Sequence, residues 1–142
     1  MRPAPRLGTL AIIAIYSAVI VCTNNAFTIL DDECSSIALA GHPIIPTLQL
    51  FLSGAGLHEE HPPFSNILLH LWLLATHFSF FALRIFANIF YIAGILFTAL
   101  SAERIGGRRT YWVTLVLGFV WPFAFQYGRI TGWYCISMFL VS

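Results

Sequence analysis

The sequence predicts an all-α, multi-span transmembrane helical bundle, and its lack of charge, its mean hydropathy and its long apolar stretches all point the same way. Of the 142 residues, 58% are hydrophobic and only 9% are charged, and the mean hydropathy is +0.82. Soluble domains carry about a quarter of their residues as charged types. A chain this poor in charge cannot cover a water-facing surface, whereas lipid solvates an apolar exterior. We therefore expect a multi-pass integral membrane protein.

The apolar stretches form a single membrane domain over residues 1–142, with segments at about 7–30, 64–83, 85–102, 111–127 and 130–142. The first segment exceeds the roughly 7–15 apolar residues of a cleavable signal, and we interpret it as an uncleaved span. Residues 64–102 are too many for one straight span of about 20 residues, which predicts a reversal near His77–Arg84. The last segment is short of a span, so we expect the chain to be the N-terminal portion of a longer protein.

The arginines give an orientation that is not self-consistent if every segment crosses the bilayer. Arg2 and Arg6 place the N-terminus in the cytoplasm by the positive-inside rule, and residues 31–63 then form an extracytoplasmic loop. If the second and third segments both cross, the basic turn at 103–109 is also outside. Either residues 64–83 form a partial or re-entrant segment, or the rule is overridden; the sequence leaves both open.

The candidate chemistry lies in the first loop, which carries all but one of the acidic residues and no arginine. These carboxylates repel one another unless they are solvated or neutralised by a positive group. Hard oxygen ligands suit a divalent cation such as magnesium or manganese, and the alternative is a solvated loop that only separates two segments. The acidic residues of the loop are Asp31, Asp32, Glu33, Glu59 and Glu60.

Two histidine patterns need separate interpretations. His58 and His61 are three residues apart and are followed by prolines, whereas a zinc protease helix needs two histidines four apart. Because proline is accepted in the first turn of a helix, His61-Pro62-Pro63 is interpreted as the start of the second segment. Glu60 and His61 then lie at the membrane surface, where they could hold a cation or a phosphate. His70 and His77 are expected to share one face of the second segment as packing partners.

The polar loop also contains a helical pattern. Leu48, Phe51, Leu52 and Ala55 recur at helical spacing, which predicts a short amphipathic helix on the membrane surface. Such a helix would bring the two acidic ends of the loop toward each other. The seven basic residues are scattered or lie near segment ends, so they offer no track for a nucleic-acid backbone.

At these residues the chain resembles the glycosyltransferases that use polyprenyl-phosphate-linked sugars, which include the protein O-mannosyltransferases and the aminoarabinose transferases of the GT-C fold. The resemblance runs in order through Asp32-Glu33, through His61-Pro62-Pro63-Phe64 with Leu68–Leu73, and through the stretch from Trp121 to Arg129 followed by Tyr134. Arg84 and Gly107-Arg108-Arg109 fall where the family has comparable residues. Trp121 and Gly128 depart from the family pattern.

The resemblance implies an inverting transfer of a hexose or pentose from a polyprenyl phosphate to a protein, lipid or glycan acceptor. Asp32 or Asp31 would be the general base, with Glu33 beside it, since a carboxylate near the acceptor hydroxyl can take its proton. Arg129 and Arg84 would neutralise the donor phosphate, with Glu60 and His61 as the cation ligands. The implied location is a bacterial inner membrane, with the acidic loop on the extracytoplasmic side and membrane lipid as a further partner.

Two other classes of function fit part of the pattern. One is a non-catalytic membrane fragment or degenerate relative that serves assembly or lipid binding. The other is a small transporter or channel subunit whose acidic loop gathers cations. A transporter predicts ionisable residues deep within several spans, and the carboxylates here lie in a loop or a turn.

Overall fold

The computed structural model describes residues 6–23, 34, 37–38, 40–53, 63–77, 79–121 and 133–141, and within these ranges the secondary structure is helical with no strand. The chain is thus all-α over its described part, as the sequence predicts. We number the helices α1 (Arg6–Thr23), α2 (Ile44–Leu52), α3 (Pro63–Ala75), α4 (Phe80–Val120) and α5 (Trp133–Val141).

Helix α4 consists of two antiparallel helices, α4a (residues 80–106) and α4b (residues 108–120). Gly107 separates them, with φ +77° and ψ −172°, a backbone conformation that is open almost only to glycine. The Tyr91 hydroxyl donates a hydrogen bond to the Gly118 carbonyl at 2.7 Å. In one straight helix these residues would be about 40 Å apart, so the chain reverses direction at Gly107.

The two halves of α4 pack through side chains repeated every four residues. Tyr91, Ile95 and Ala99 of α4a lie in one buried cluster with Tyr111, Leu115 and Phe119 of α4b. Residues four apart lie on one face of a helix, so each half presents a single apolar stripe to the other. The turn between them, residues 103–109, carries Arg104, Arg108 and Arg109, and we call it the arginine turn.

Helix α1 lies against both halves of this hairpin and runs parallel to α4b. Near its start, the Thr9 and Tyr111 hydroxyls are hydrogen-bonded at 2.9 Å. Further along, Tyr16 packs on Phe119, with ring centroids 4.8 Å apart. The N-terminus of α1 therefore lies at the same end of the bundle as the arginine turn, and we call the opposite end, where α1 reaches Thr23, the distal end.

Helices α3 and α4a form a second hairpin, at the position where the sequence predicts a reversal. Helix α3 ends at Ala75, and Ser79 caps α4a by accepting a hydrogen bond from the Ala82 amide. The Trp72 indole donates to the Ala82 carbonyl at 2.8 Å across the hairpin. His77 lies in the turn with φ +51° and is exposed, so the expectation that it shares a helix face with His70 is wrong.

The remaining helices pack around this second hairpin. His70 Nδ1 is 2.7 Å from the Ala40 carbonyl oxygen, which ties α3 to the chain just before α2. Phe139 of α5 contacts Phe90 and Phe97 edge-on, and Ile136 is buried in the cluster formed by α3 and α4a. The predicted amphipathic helix corresponds to α2, and Ala55 lies outside the described residues.

The described surface is strongly apolar. Large hydrophobic side chains are exposed on all five described helices, for example Leu7 at 87%, Leu52 at 85% and Ile105 at 90%. Residues 81–120 contain a window of mean hydropathy 1.9, which makes this the one described helix that is long and apolar enough to cross a membrane. Helix α1 from Leu7 and helix α3 from Phe64 are apolar but shorter.

Candidate functional site

The predicted site divides into residues outside the described ranges and one residue within them. Arg84 is the described member. The other candidates, named as base, phosphate-binding or cation-binding residues, lie outside the described ranges: Asp31, Asp32, Glu33, Glu60, His61 and Arg129. For these residues, the structure shows only where the neighbouring helices begin or end.

Three of these helix ends lie at similar heights toward the distal end. Helix α1 ends at Thr23, from which residues 24–33 continue, and α4b ends beside it because Tyr16 and Ile20 share a buried cluster with Phe119. Residues 122–132 follow α4b. Helix α3 starts at Pro63, about 18 Å back from the turn with α4a, which is near the height of Tyr91. The segments bearing the predicted base, cation ligands and arginine thus lead from one region of the bundle.

Pro63 is the first residue of α3, as expected from the prolines that precede the second segment. Proline is accepted there because the first amides of a helix have no carbonyl partner within the helix. Helix α3 has 13 residues and is about 20 Å long, which is short of the roughly 30 Å hydrocarbon core of a bilayer. Helix α4b is equally short but begins at the arginine turn, whereas α3 begins near the height of Tyr91 and does not reach that end of the bundle. This position, and not the length alone, agrees with the partial segment that the sequence left open as one of two solutions.

Arg84 lies in the first turns of α4a and is half-buried. Between Arg84 and the arginine turn, residues 85–102 contain no charged side chain. Arg84 and Arg104 are about 30 Å apart along the helix axis, close to the thickness of a hydrocarbon core. Arg84 thus lies toward the same end of the bundle as Thr23 and Pro63, and Glu103 is at the other end.

Two asparagine amides are buried where the α3–α4a hairpin meets the level of Pro63. Asn66 is 3% exposed and Asn88 is 4% exposed, and among the described residues neither Asn66 Nδ2 nor Asn88 Oδ1 has a hydrogen-bond partner. Counted from the turn, they are about 15 Å and 14 Å along their helices, so they lie at the same height. A hydroxyl group or a water molecule can donate to Asn88 Oδ1 or accept from Asn66 Nδ2.

The sequence interpretation missed this asparagine pair, although the signal was present as two amides inside otherwise apolar segments. No group of three or more histidine, cysteine, aspartate or glutamate side chains suited to a metal occurs among the described residues. The predicted cation ligands Glu60 and His61 are not among those residues, so the cation stays a prediction. Cys22 and Cys34 are free and exposed.

Comparison of the chain with protein-family models, with curated proteins and with solved structures finds no match. The fold therefore defines the class only as an all-helical protein with one described helix suited to crossing a membrane.

Proposed function

We propose that this chain belongs to a membrane glycosyltransferase of the GT-C type, which transfers a sugar from a polyprenyl phosphate to an acceptor at the outer face of the membrane. Its bundle would be multi-span, with α1, α4a and α4b crossing the bilayer and α3 entering it only partly. The exposed apolar side chains would then face lipid, which solvates them where water does not.

The proposal rests on the positions of three helix ends. The ends of α1 and α4b and the start of α3 lie in the same region of the bundle, and they adjoin the segments that contain the predicted base, cation ligands and arginine. A sugar transfer needs a base near the acceptor hydroxyl and a positive or metal centre near the donor phosphate, both within one site. Thr23, Pro63 and Trp121 lie toward the distal end. In the sequence, Asp32 is nine residues after Thr23, Glu60 is three residues before Pro63, and Arg129 is eight residues after Trp121. Arg84 would add a guanidinium for the phosphate there.

The orientation of the bundle also agrees with an outer-face reaction. The arginine turn and the start of α1 lie at one end, so the positive-inside rule assigns that end to the cytoplasm. The distal end then faces outward, as the use of a sugar on a polyprenyl carrier requires in this type of enzyme. If α3 crossed the bilayer, the start of α1 and the arginine turn would lie on opposite sides of the membrane. If α3 does not cross, both lie on the cytoplasmic side.

The proposed base can be tested with Asp32→Asn and with Glu103→Gln as the matched control. Both changes remove one carboxylate from the loops and turns, and Glu103 belongs to the arginine turn at the opposite end. Membranes containing each variant of the full-length protein are incubated with a radiolabelled sugar on polyprenyl phosphate. The label is then followed into protein, lipid and glycan fractions.

We expect label transfer by the wild type and by Glu103→Gln, and a loss of at least 100-fold with Asp32→Asn, since a positioned general base contributes about 10²–10⁴. Near-native transfer by Asp32→Asn would reject the role of that residue. Absence of transfer by the wild type, with the donor still binding in a pull-down on immobilised protein, would favour the non-catalytic alternative.

A further inference from the structure

We propose that the arginine turn and the apolar groove beside it bind one anionic phospholipid, with the phosphate headgroup on Arg108 and Arg109 and an acyl chain in the groove. This inference concerns the end of the bundle opposite the proposed transfer site and does not depend on the glycosyltransferase activity. It rests on the order of side chains along the contact between α1 and α4b, which we call the α1–α4b seam: first arginines, then a tryptophan, then an apolar groove.

The arginine turn at the start of α4b has more positive than negative side chains. Arg104, Arg108 and Arg109 are exposed, and none of them has a hydrogen bond or ion pair within the described ranges. Glu103 is the one carboxylate in this turn, so the turn carries an excess of positive charge. Each basic side chain near an anionic membrane surface favours binding of an anionic headgroup.

The apolar part is a groove of about 320 Å³ between α1 and α4b, within the roughly 300–1,000 Å³ of small-ligand sites. It is lined by Val116, Phe119 and Val120 from α4b and by Ile12, Ile15, Tyr16 and Val19 from α1. Helices that pack in membranes usually present glycine, alanine, serine or threonine to each other. The groove has a lining of bulky aliphatic and aromatic side chains without a small residue, which suits a flexible acyl chain better than another helix.

Trp112 lies between these two parts. Its indole is so close to α1 that a Cβ on Gly8 would be 2.9 Å from the ring, and tryptophan is enriched at the level of lipid headgroups. Arg108, Trp112, Val116 and Val120 are four residues apart in turn and share one face of α4b. From Trp112 to Val120 the seam is about 12 Å long, within the roughly 15 Å that one leaflet of the hydrocarbon core provides.

The test is native mass spectrometry of the protein after exchange into mixed micelles of detergent with dioleoyl phosphatidylglycerol or dioleoyl phosphatidylcholine. We expect one phosphatidylglycerol to be retained and phosphatidylcholine to be lost at the same collision energy. Inorganic phosphate added in excess should not displace the lipid. Equal retention of both lipids, displacement by inorganic phosphate, or a lipid-free dimer as the main species would overturn the proposal.

Variants separate the headgroup contacts from the acyl contacts. The double variant Arg108→Gln/Arg109→Gln should weaken phosphatidylglycerol retention at least tenfold, whereas Gln49→Ala, at an exposed position of α2, should leave it unchanged. Val116→Trp fills the groove and should abolish retention, and Val113→Trp, on an exposed position outside the groove, should not. If Val116→Trp does not fold, Val120→Trp fills the upper groove at a position that is 68% exposed. Full retention by the folded groove variant refutes the site.

Discussion

Alanine at Gly107 should open the hairpin between α4a and α4b. A Cβ at this position would meet no atom within 4 Å, so the entire effect comes from the backbone angles. A non-glycine residue at φ +77° and ψ −172° is destabilised by about 1–3 kcal/mol. Since about 1.4 kcal/mol is a factor of ten, the folded population should fall between about fivefold and 150-fold relative to the unfolded or straightened chain.

Gly41→Ala is the matched control for this substitution. Its Cβ would also meet no atom within 4 Å, and its φ is not in the positive range. We expect Gly41→Ala to be neutral or to stabilise the chain by up to about 1 kcal/mol, because alanine favours helix over glycine. The pair thus compares two open glycines that differ in backbone conformation.

The assay uses spin labels on cysteines introduced at Ile89 and Val120, in a chain whose native cysteines are replaced by serine. Both positions are exposed, at 49% and 68%. A straight α4 would separate them by about 47 Å, whereas a hairpin with axes 8–10 Å apart keeps them within about 20 Å. Unfolding by sodium dodecyl sulfate, followed by circular dichroism, gives the stability of the same samples.

We expect a short distance in the parent chain and in Gly41→Ala. Gly107→Ala should show a longer-distance population or an unfolding midpoint at lower detergent fraction. A Gly107→Ala chain as stable as Gly41→Ala, with the same short distance, would mean that the reversal does not depend on the glycine backbone. A long distance in the parent chain would refute the hairpin itself.

Four further single substitutions probe the packing of the two hairpins in the same unfolding titration. Tyr91→Phe should reduce stability by about 0.5–1.5 kcal/mol, because the Gly118 carbonyl is near the end of α4b and lacks a partner within the helix; an unchanged midpoint contradicts this. Gly118→Ala should also destabilise, since its Cβ would be 2.8 Å from two carbon atoms of Ile95 and overpacking costs about 1–3 kcal/mol; combining it with Ile95→Ala should relieve the clash, and a purely additive loss would argue against contact. Asn66→Leu and Asn88→Leu should each raise the midpoint, because burying an unsatisfied polar atom costs about 1–3 kcal/mol; a lower midpoint would show that the amides have partners.

Much of the helical architecture follows from local patterns in the sequence. The apolar stretches have the length and composition of helices, and the prolines before Phe64 mark the start of α3 at Pro63. The excess length of residues 64–102 required a reversal, and the structure has it between Ala75 and Phe80. These predictions succeeded because they depend on residue types close together in the chain.

The errors and gaps concern contacts between distant parts of the chain. Helical spacing alone put His77 on a face with His70, but α3 ends at Ala75, and no local breaker identified that boundary. The groove between α1 and α4b joins residues about a hundred positions apart, which periodicity does not pair. The roles of Asp32 and Glu60 stay predictions, because they fall outside the described ranges.

The dihedral angles at Gly107 also decide on which side of a bilayer the rest of the chain would emerge. In the proposed topology, the reversal would make α4a and α4b two passes, and α4b would then end at the face where α1 ends at Thr23. Without it, α4b would end at the opposite face, beside the N-terminus. The backbone conformation of one glycine would thus decide whether α4 crosses the membrane once or twice. A reporter fused after Trp121 would show on which side of the membrane that position lies.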